Sequence, residues 1–402
     1  MRIAVVFEAN PLVGGGFHDS LSATLLVSRI KNQDEYEFLY YTLSEENAKA
    51  AKTAGLNTKF LKFGGKERLV HKFRKNLTLN RWFQKLGICK PLDEQFKRNK
   101  IDLVYFTGPN PLSLFLEELN FILPVWDLCH RDHPEFPEVR EQFEFDSREN
   151  FLRTALPKAT AVIAESPFGR DALVRRYGLD PEKVHYIWKP ASSRIIQLEG
   201  KIDFDPRKFA GLPKEAKFIF YPSQFWPHKN HRLIIEALAD VKNSHGLEIY
   251  AIFCGSDCGN LQNILSFAEK NGVGNLIRHV GFAKDEHMPS YYQNSIALIM
   301  PSYFGPTNMP PVEAFSLGTP VVVADLPGFR DQVGDAALLV NPHDPKELSQ
   351  IIVKLSKDDK VCANLILKGK GRLHLFSDKE RLKTLKIIFD NFARKRALWT
   401  FD

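Results

Sequence analysis

The residues best placed by type and spacing to bind a charged ligand lie around Glu313. The stretch PSYFGPTNMPPVEAFSLGTPVVVAD (301–325) follows the apolar run IALIM. A loop rich in Gly, Pro and Asn, Gly305 to Pro311, comes next, and Pro311 suits a helix's first turn, whose N–H groups lack partners anyway. The pattern predicts a short helix with Glu313 in its first turn, stopped at Gly318, then a buried strand VVVA. Such a helix entrance offers free N–H groups and a positive dipole end, which suits an anion such as phosphate. The plain alternative is a structural βαβ turn with a solvated Glu. A second concentration, Asp127, His130, Arg131, Asp132, His133, Glu135 and Glu138, follows the run FILPV. It admits metal binding, acid–base work or a solvated loop, with metal disfavoured because no pair of His stands at i, i+4. Gly14, Gly15 and Gly16 follow the first apolar run and let backbone approach a ligand. They do not form G-x-G-x-x-G, so a dinucleotide site is not indicated. Cys254 and Cys258 in CGSDC lack partners at zinc spacing.

The elements needed to position these residues are legible as alternating strands and helices. RIAVVFE (2–8), YEFLYYT (36–42), IDLVYFT (101–107), FILPV, AVIA and VHYIWKP (184–190) read as strands of a first half. KFIFYP, GLEIYAIFCG (246–255), LIRHV, IALIM, VVVA and ALLV read as strands of a second half, with HRLIIEAL as a helix after the first of them. Asp344 before Pro345 is a helix-start signal. The polar segment 191–215, with Gly200, Pro206, Gly211 and Pro213, reads as the connection. The expected fold class is α/β, two Rossmann-like doubly wound domains, 1–190 and 191–378. A helix over 379–402 closes the chain, with Leu385, Ile388, Phe389, Phe392 and Trp399 as its packing face.

The chain has 402 residues, 44% hydrophobic and 26% charged, which suits a globular protein of two or three domains. No apolar run reaches the ~20 residues that span a bilayer. Five Cys with no C-x-x-C and no secretory leader point to a reducing cytosol. Net charge is +7, but residues 59–100 hold 13 Lys/Arg against 3 Asp/Glu. That block also carries Phe60, Leu61, Phe63, Leu69, Val70, Phe73, Leu77, Trp82 and Phe83. It reads as a surface drawn to anionic lipid, as a nucleic-acid surface, or as a solvated helical face over an ordinary core.

The stretch 301–325 resembles the sugar-nucleotide motif of retaining family-4 glycosyltransferases (glycosyl transferases group 1), P-S-x-x-E-G-F-G-L-P-x-x-E-A-x-x-x-G-x-P-V-V. Within the family the chain resembles mannosyltransferases of O-antigen and polysaccharide type. The resemblance is dense from 216 to 345 and thinner from 1 to 190. It implies the GT-B fold, with two domains facing across a cleft and the closing helix crossing back to the first. The second motif glutamate is Glu313, implied to meet the donor ribose, whereas the first, implied to approach the donor sugar, is Gly305 here. Thr307 and the backbone N–H groups of Asn308 and Met309 are the donor-binding groups left in that loop.

SQFWPHKNH (223–231) is similar to the family loop G-R-L-x-x-x-K-G. Lys229 lands on the Lys that neutralises the donor diphosphate, and Gln224 on its Arg, so one cation is missing unless His228 or His231 substitutes. In the segment around 126–135, similar to H-D-L-x-H-x-x-x-P-E, Asp127, His130, Pro134 and Glu135 match while Trp126 replaces the first His. Asp127 and His130 are implied to line the active site, with a packed structural His as the alternative. Gly15 and Gly16 occupy the family's first glycine loop, near donor phosphate and acceptor.

The expectation is a retaining, metal-independent hexosyltransferase, with Lys229, Asp127 and His130 as catalytic residues and no cofactor. The donor would be a GDP- or UDP-linked sugar, and the acceptor a glycan or lipid-linked oligosaccharide of bacterial surface polysaccharide. The expected place is the cytoplasm, peripheral to the inner membrane face through an anionic lipid surface at 59–100, with no nucleic-acid partner. An epimerase fits poorly, because it needs paired carboxylates and bases. Gly305, Gln224 and Trp126 point instead to the main alternative, a catalytically degenerate scaffold that binds nucleotide or glycan.

Overall fold

The computed structural model describes residues 1–9, 14–30, 35–62, 91–305 and 307–399. Phe63, Leu69, Val70, Phe73, Leu77, Trp82, Phe83 and Cys89 of the basic block lie outside the described residues. The chain divides into two units: Met1–Pro134 with Val139–Trp188 and Asp378–Asp402, and Glu135–Glu138 with Lys189–Ser377.

The first unit is built on a parallel sheet of β1 (Arg2–Val6), β2 (Glu37–Thr42), β3 (Thr58–Phe60), β4 (Leu103–Phe106), β5 (Asn120–Val125), β6 (Ala161–Ala164) and β7 (Val184–Tyr186), in the order 3-2-1-4-5-6-7. Alternate residues face opposite sides. Ala4, Val6, Val104, Phe106 and Leu123 pack into one core, and Ile3, Val5, Leu103, Tyr105 and Ile122 into another. Both faces are covered, so the central strands read as continuous apolar runs rather than alternating ones. The helix Asp378–Arg396 covers the second face with buried Leu385, Ile388, Phe389 and Phe392. Burying four such side chains contributes roughly 6–12 kcal/mol before chain entropy is subtracted.

The second unit is a six-stranded parallel sheet of β8 (Phe218–Pro222), β9 (Tyr250–Cys254), β10 (Ile277–His279), β11 (Leu298–Met300), β12 (Val321–Ala324) and β13 (Leu338–Val340), in the order 10-9-8-11-12-13. It repeats the winding of the first: outward to one edge, then back past the starting strand to the other. Asp344 caps the helix Pro345–Lys357, accepting from the N–H groups of Lys346 and Glu347 at 3.0 Å each.

Two details depart from expectation. β3 lies at the start of the basic block and, among the described residues, pairs only with β2, Tyr40 opposite Thr58. The helix holding Glu313 runs Met309–Leu317, so Glu313 is in its second turn. Pro310 and Pro311 have no N–H to give an earlier carbonyl and fit only the opening turn, which draws the start back to Met309. Gly318 ends it at φ 71°.

Candidate functional site

In the second unit the strand order reverses at β8, which has β9 on one side and β11 on the other. The loop 223–230 leaves the C-terminal end of β8, and the loop 301–308 that of β11. In open parallel sheets this edge, at this reversal, is where ligands sit.

Lys229 ends a short 3₁₀ turn, Pro227–Lys229, and is half-buried. Its main chain is held from two directions. The Tyr221 hydroxyl, at the end of β8, lies 2.9 Å from the Lys229 carbonyl oxygen, to which it donates, and 2.9 Å from Ser302 Oγ. Asn230 takes the left-handed conformation (φ 56°), which Asn tolerates better than most residues, and its Nδ2 donates to the carbonyls of Pro301 at 3.2 Å and Pro342 at 2.9 Å. The Lys229 turn is thereby fastened to the loop after β11. Beside it, a Cβ on Gly255 would stand 2.2 Å from the Ser223 carbonyl oxygen, so only glycine permits that approach of the loop after β9. Tyr221→Phe would leave a buried carbonyl and hydroxyl short of a partner. It is expected to cost about 1–3 kcal/mol in urea denaturation.

Gly305 adopts φ 101°, a conformation that side-chain-bearing residues rarely take. A glutamate at this position would therefore be strained as this loop runs. Asn308 Nδ2 donates to the Gly305 carbonyl at 2.8 Å. The Asn308 N–H, expected to serve a ligand, donates to Gln332 Oε1 at 3.1 Å, and Gln332 Nε2 donates back to the Asn308 carbonyl at 2.7 Å. Gln332 is fully buried and pins the helix entrance. Its one sequence signal is a Gln on the apolar face between Phe329 and Val333. Thr307 and Met309 are buried in the same entrance.

Glu313 is 4% exposed. One carboxylate oxygen accepts from Tyr292 Oη at 2.7 Å and the other from the Ser192 N–H at 3.3 Å. Burial pushes its pKa up to about 7, against the pull of those two donors, and the Asp285 charge adds to the rise. Neither Tyr292 nor Ser192 stood out in the sequence.

Around Lys229, Gln224 Oε1 accepts from Trp226 Nε1 at 3.1 Å. His231 is buried and stacked on Phe225, with ring centroids 4.4 Å apart. Burial, with the charges of Lys229, His228 and His279, pushes it down to about 3, so it cannot replace the missing cation. His228 stacks on Phe304 at 3.8 Å, and its Nδ1 pairs with Glu138 Oε1.

In the first unit, the three glycines open the helix Gly14–Ser28. A Cβ on Gly16 would stand 2.8 Å from the Trp126 ring and one on Gly108 3.0 Å, so the indole occupies space those glycines vacate. A Cβ on Gly15 would meet nothing within 4 Å. Asp127 accepts from the Cys129 N–H at 3.0 Å and Arg148 Nη1 at 2.9 Å. Burial works to raise its pKa, yet the Arg148 charge and these hydrogen bonds hold it down to about 2. His130 is fully buried, with Nε2 3.2 Å from Glu149, which also accepts from Arg131 Nε at 2.8 Å and Tyr177 Oη at 3.0 Å. Burial pushes the imidazole below its ordinary value. Glu149 thus engages Nε2, while the buried Nδ1 has no hydrogen-bond partner among the described residues. Among the described residues no group of three or more His, Cys, Asp or Glu is arranged to hold a metal ion. No described helix is long and apolar enough to cross a membrane.

Comparison with known proteins follows the same division. Residues 40–190 match the model of Glycosyltransferase Family 4, and residues 203–372 that of Glycosyl transferases group 1. A D-inositol 3-phosphate glycosyltransferase of Corynebacterium kroppenstedtii is 26% identical over 67% of this chain and 59% of its own length. The O-antigen chain mannosyltransferase RfbU of Salmonella typhimurium is 27% identical over 51% of this chain and 54% of its own. The chain thus spans a little over half the length of these curated relatives. The crystal structure of Anabaena Alr3699/HepE in complex with UDP-glucose superposes with a TM-score of 0.66 over 99% of this chain and 100% of that one, at 18% identity. The fold is that of the GT-B glycosyltransferases, two Rossmann-like α/β units. Between them the two family models leave only the chain ends and a short connection unmatched, and the chain belongs to the glycosyltransferases of the family-4 and group-1 type.

Proposed function

We propose that this glycosyltransferase moves a sugar from a UDP- or GDP-linked donor to a glycan or lipid-linked acceptor in bacterial surface polysaccharide assembly. The observation that carries the reading is the fastening of the Lys229 turn to the loop that opens the Met309–Leu317 helix, at the sheet edge where strand order reverses. A cation and a helix entrance there suit a pyrophosphate. The UDP-glucose bound by the Anabaena protein and the O-antigen named for the Salmonella relative support the class of donor and acceptor.

In this mechanism Lys229 and the dipole of the Met309–Leu317 helix stabilise charge growing on the departing diphosphate. They do so without a metal ion. The bond from the sugar's anomeric carbon to the phosphate oxygen breaks while that carbon bonds the acceptor oxygen on the same face. The acceptor's proton passes to the leaving phosphate, so configuration is retained and no protein nucleophile is needed. Glu313 uses the lone pairs not engaged by Tyr292 and Ser192 to accept from the ribose. Thr307, Met309 and Gln224 line the donor, and Gly15 leaves room for phosphate or acceptor. Asp127 and His130 are the catalytic groups the first unit supplies, each oriented by its own ion-pair network. The protein works in the cytoplasm, and the basic block 59–100 draws it to anionic lipid at the membrane face.

A degenerate scaffold is the competing reading, favoured by the glycine at 305. Thermal denaturation with UDP, GDP, UDP-glucose and GDP-mannose tests the proposal. One of these at about 100 times its Kd should add ~2.7 kcal/mol of stability. No shift with any of the four overturns the donor assignment, and binding without release of free sugar favours the scaffold.

A further inference from the structure

The segment Glu135–Glu138 groups with the second unit although the residues before and after it belong to the first. Phe136 packs on Tyr303 at 5.4 Å, on Phe304 at 5.6 Å and on the His228 ring at 6.4 Å between centroids. Those residues belong to the two loops that hold the Lys229 turn and the helix entrance. The Glu138 side chain is only 7% exposed. Its Oε1 accepts from the His228 N–H at 3.0 Å and pairs with His228 Nδ1. Its charge also reaches the loop after β9, where it helps raise the Cys258 thiol. Oε2 is buried and has no hydrogen-bond partner among the described residues.

A buried carboxylate oxygen without a donor costs about 1–3 kcal/mol or more, so its persistence calls for a ligand that supplies one. A hydroxyl is the neutral donor that a sugar offers. We propose that Glu138 is a donor-site residue whose Oε1 is fixed by His228 and whose Oε2 accepts a hydrogen bond from a hydroxyl of the transferred sugar. The inference rests on the nucleotide-sugar reading of the preceding section and deepens it. A side chain at 305 cannot supply this contact, because that residue is glycine. Glu138 reaches the same loops by a different route, with its oxygen oriented by a neighbour of Lys229. The contact is to the sugar, not to the nucleotide, and this separates its test from that of the donor assignment.

Glu138→Gln keeps shape and one oxygen but turns the sugar-facing atom into a donor. Affinities for UDP and GDP, and rates of sugar release from UDP-glucose and GDP-mannose, are compared between the wild type and this variant. The proposal expects diphosphate affinity within about two-fold of wild type and sugar release at least about ten-fold slower, roughly one hydrogen bond to a charged group. Glu138→Asp, which retains the carboxylate, should recover part of the rate; it is also read by the same two ratios if the Gln variant fails to fold. Sugar release within two-fold of wild type overturns the proposal. So does an equal loss of diphosphate affinity and sugar release, since that marks Glu138 as a clamp on its own segment. If the wild type binds none of the four nucleotides, the donor reading fails and this inference falls with it.

Discussion

Lys229→Ala is expected to slow sugar transfer by about 10²–10³-fold, roughly 3–4 kcal/mol at the transition state, with little change in thermal stability. The two halves of that expectation have separate causes. The turn is shaped by the Tyr221 hydroxyl on the Lys229 carbonyl and by the Asn230 side chain on two other carbonyls. None of these bonds uses the ammonium group, so truncating the side chain leaves the turn's anchors in place. The charge, in contrast, is replaced by neither Gln224 nor His231, and His228 is engaged by the Glu138 carboxylate. Gln224 stands where the family motif carries an arginine, and His231 is held neutral by burial. Lys229→Arg should retain part of the rate, since it keeps the charge but changes its shape and reach. Single-turnover transfer assays on both variants check this. Near-wild-type turnover in Lys229→Ala would take the residue out of the mechanism.

Much of this site was legible in the sequence because its elements obey local rules. Continuous apolar runs such as IAVV and VVVA suit strands buried on both faces, as in a parallel sheet, and the loops between them carry Gly, Pro and Asn for stated reasons. β3 escaped because its three residues, TKF, show neither a run nor an alternation. Glu313 falls in the second turn rather than the first because a pair of prolines, not Pro311 alone, sets the helix start. Long-range partners left no local trace. Gln332 reaches Asn308 across 24 residues, and Ser192 reaches Glu313 across 121. His130 sits in a chemically suggestive cluster in the sequence, but its partner Glu149, 19 residues on, becomes visible only in the fold.

Glu313→Gln should make the protein more stable above neutral pH and a poorer binder of nucleotide at once. Folding raises the Glu313 pKa from an ordinary 4.5 to about 7, with burial as the main cause. Between those two values the folded chain holds a proton that the unfolded chain has released. Stability therefore falls as pH rises from about 4.5 to 7, and the full cost is present above 7. A shift of that size corresponds to about 3 kcal/mol from this one group. Glutamine has no proton to lose, so its Tm advantage should be small near pH 5 and widen toward pH 8. The amide oxygen can accept from the Ser192 N–H while its NH₂ donates to the tyrosine oxygen, and the tyrosine proton then loses this acceptor, which offsets part of the gain equally at every pH. The ribose loses a charged acceptor, which should weaken UDP or GDP binding about ten-fold, near 1.4 kcal/mol. Gain of stability with loss of binding is the mark of a residue kept in an unfavourable state for its ligand. Melting curves from pH 5 to 8, with and without the diphosphate, separate the two terms. Parallel pH profiles for variant and wild type would show that the carboxylate carries no such cost, and unchanged nucleotide affinity would remove Glu313 from the ribose.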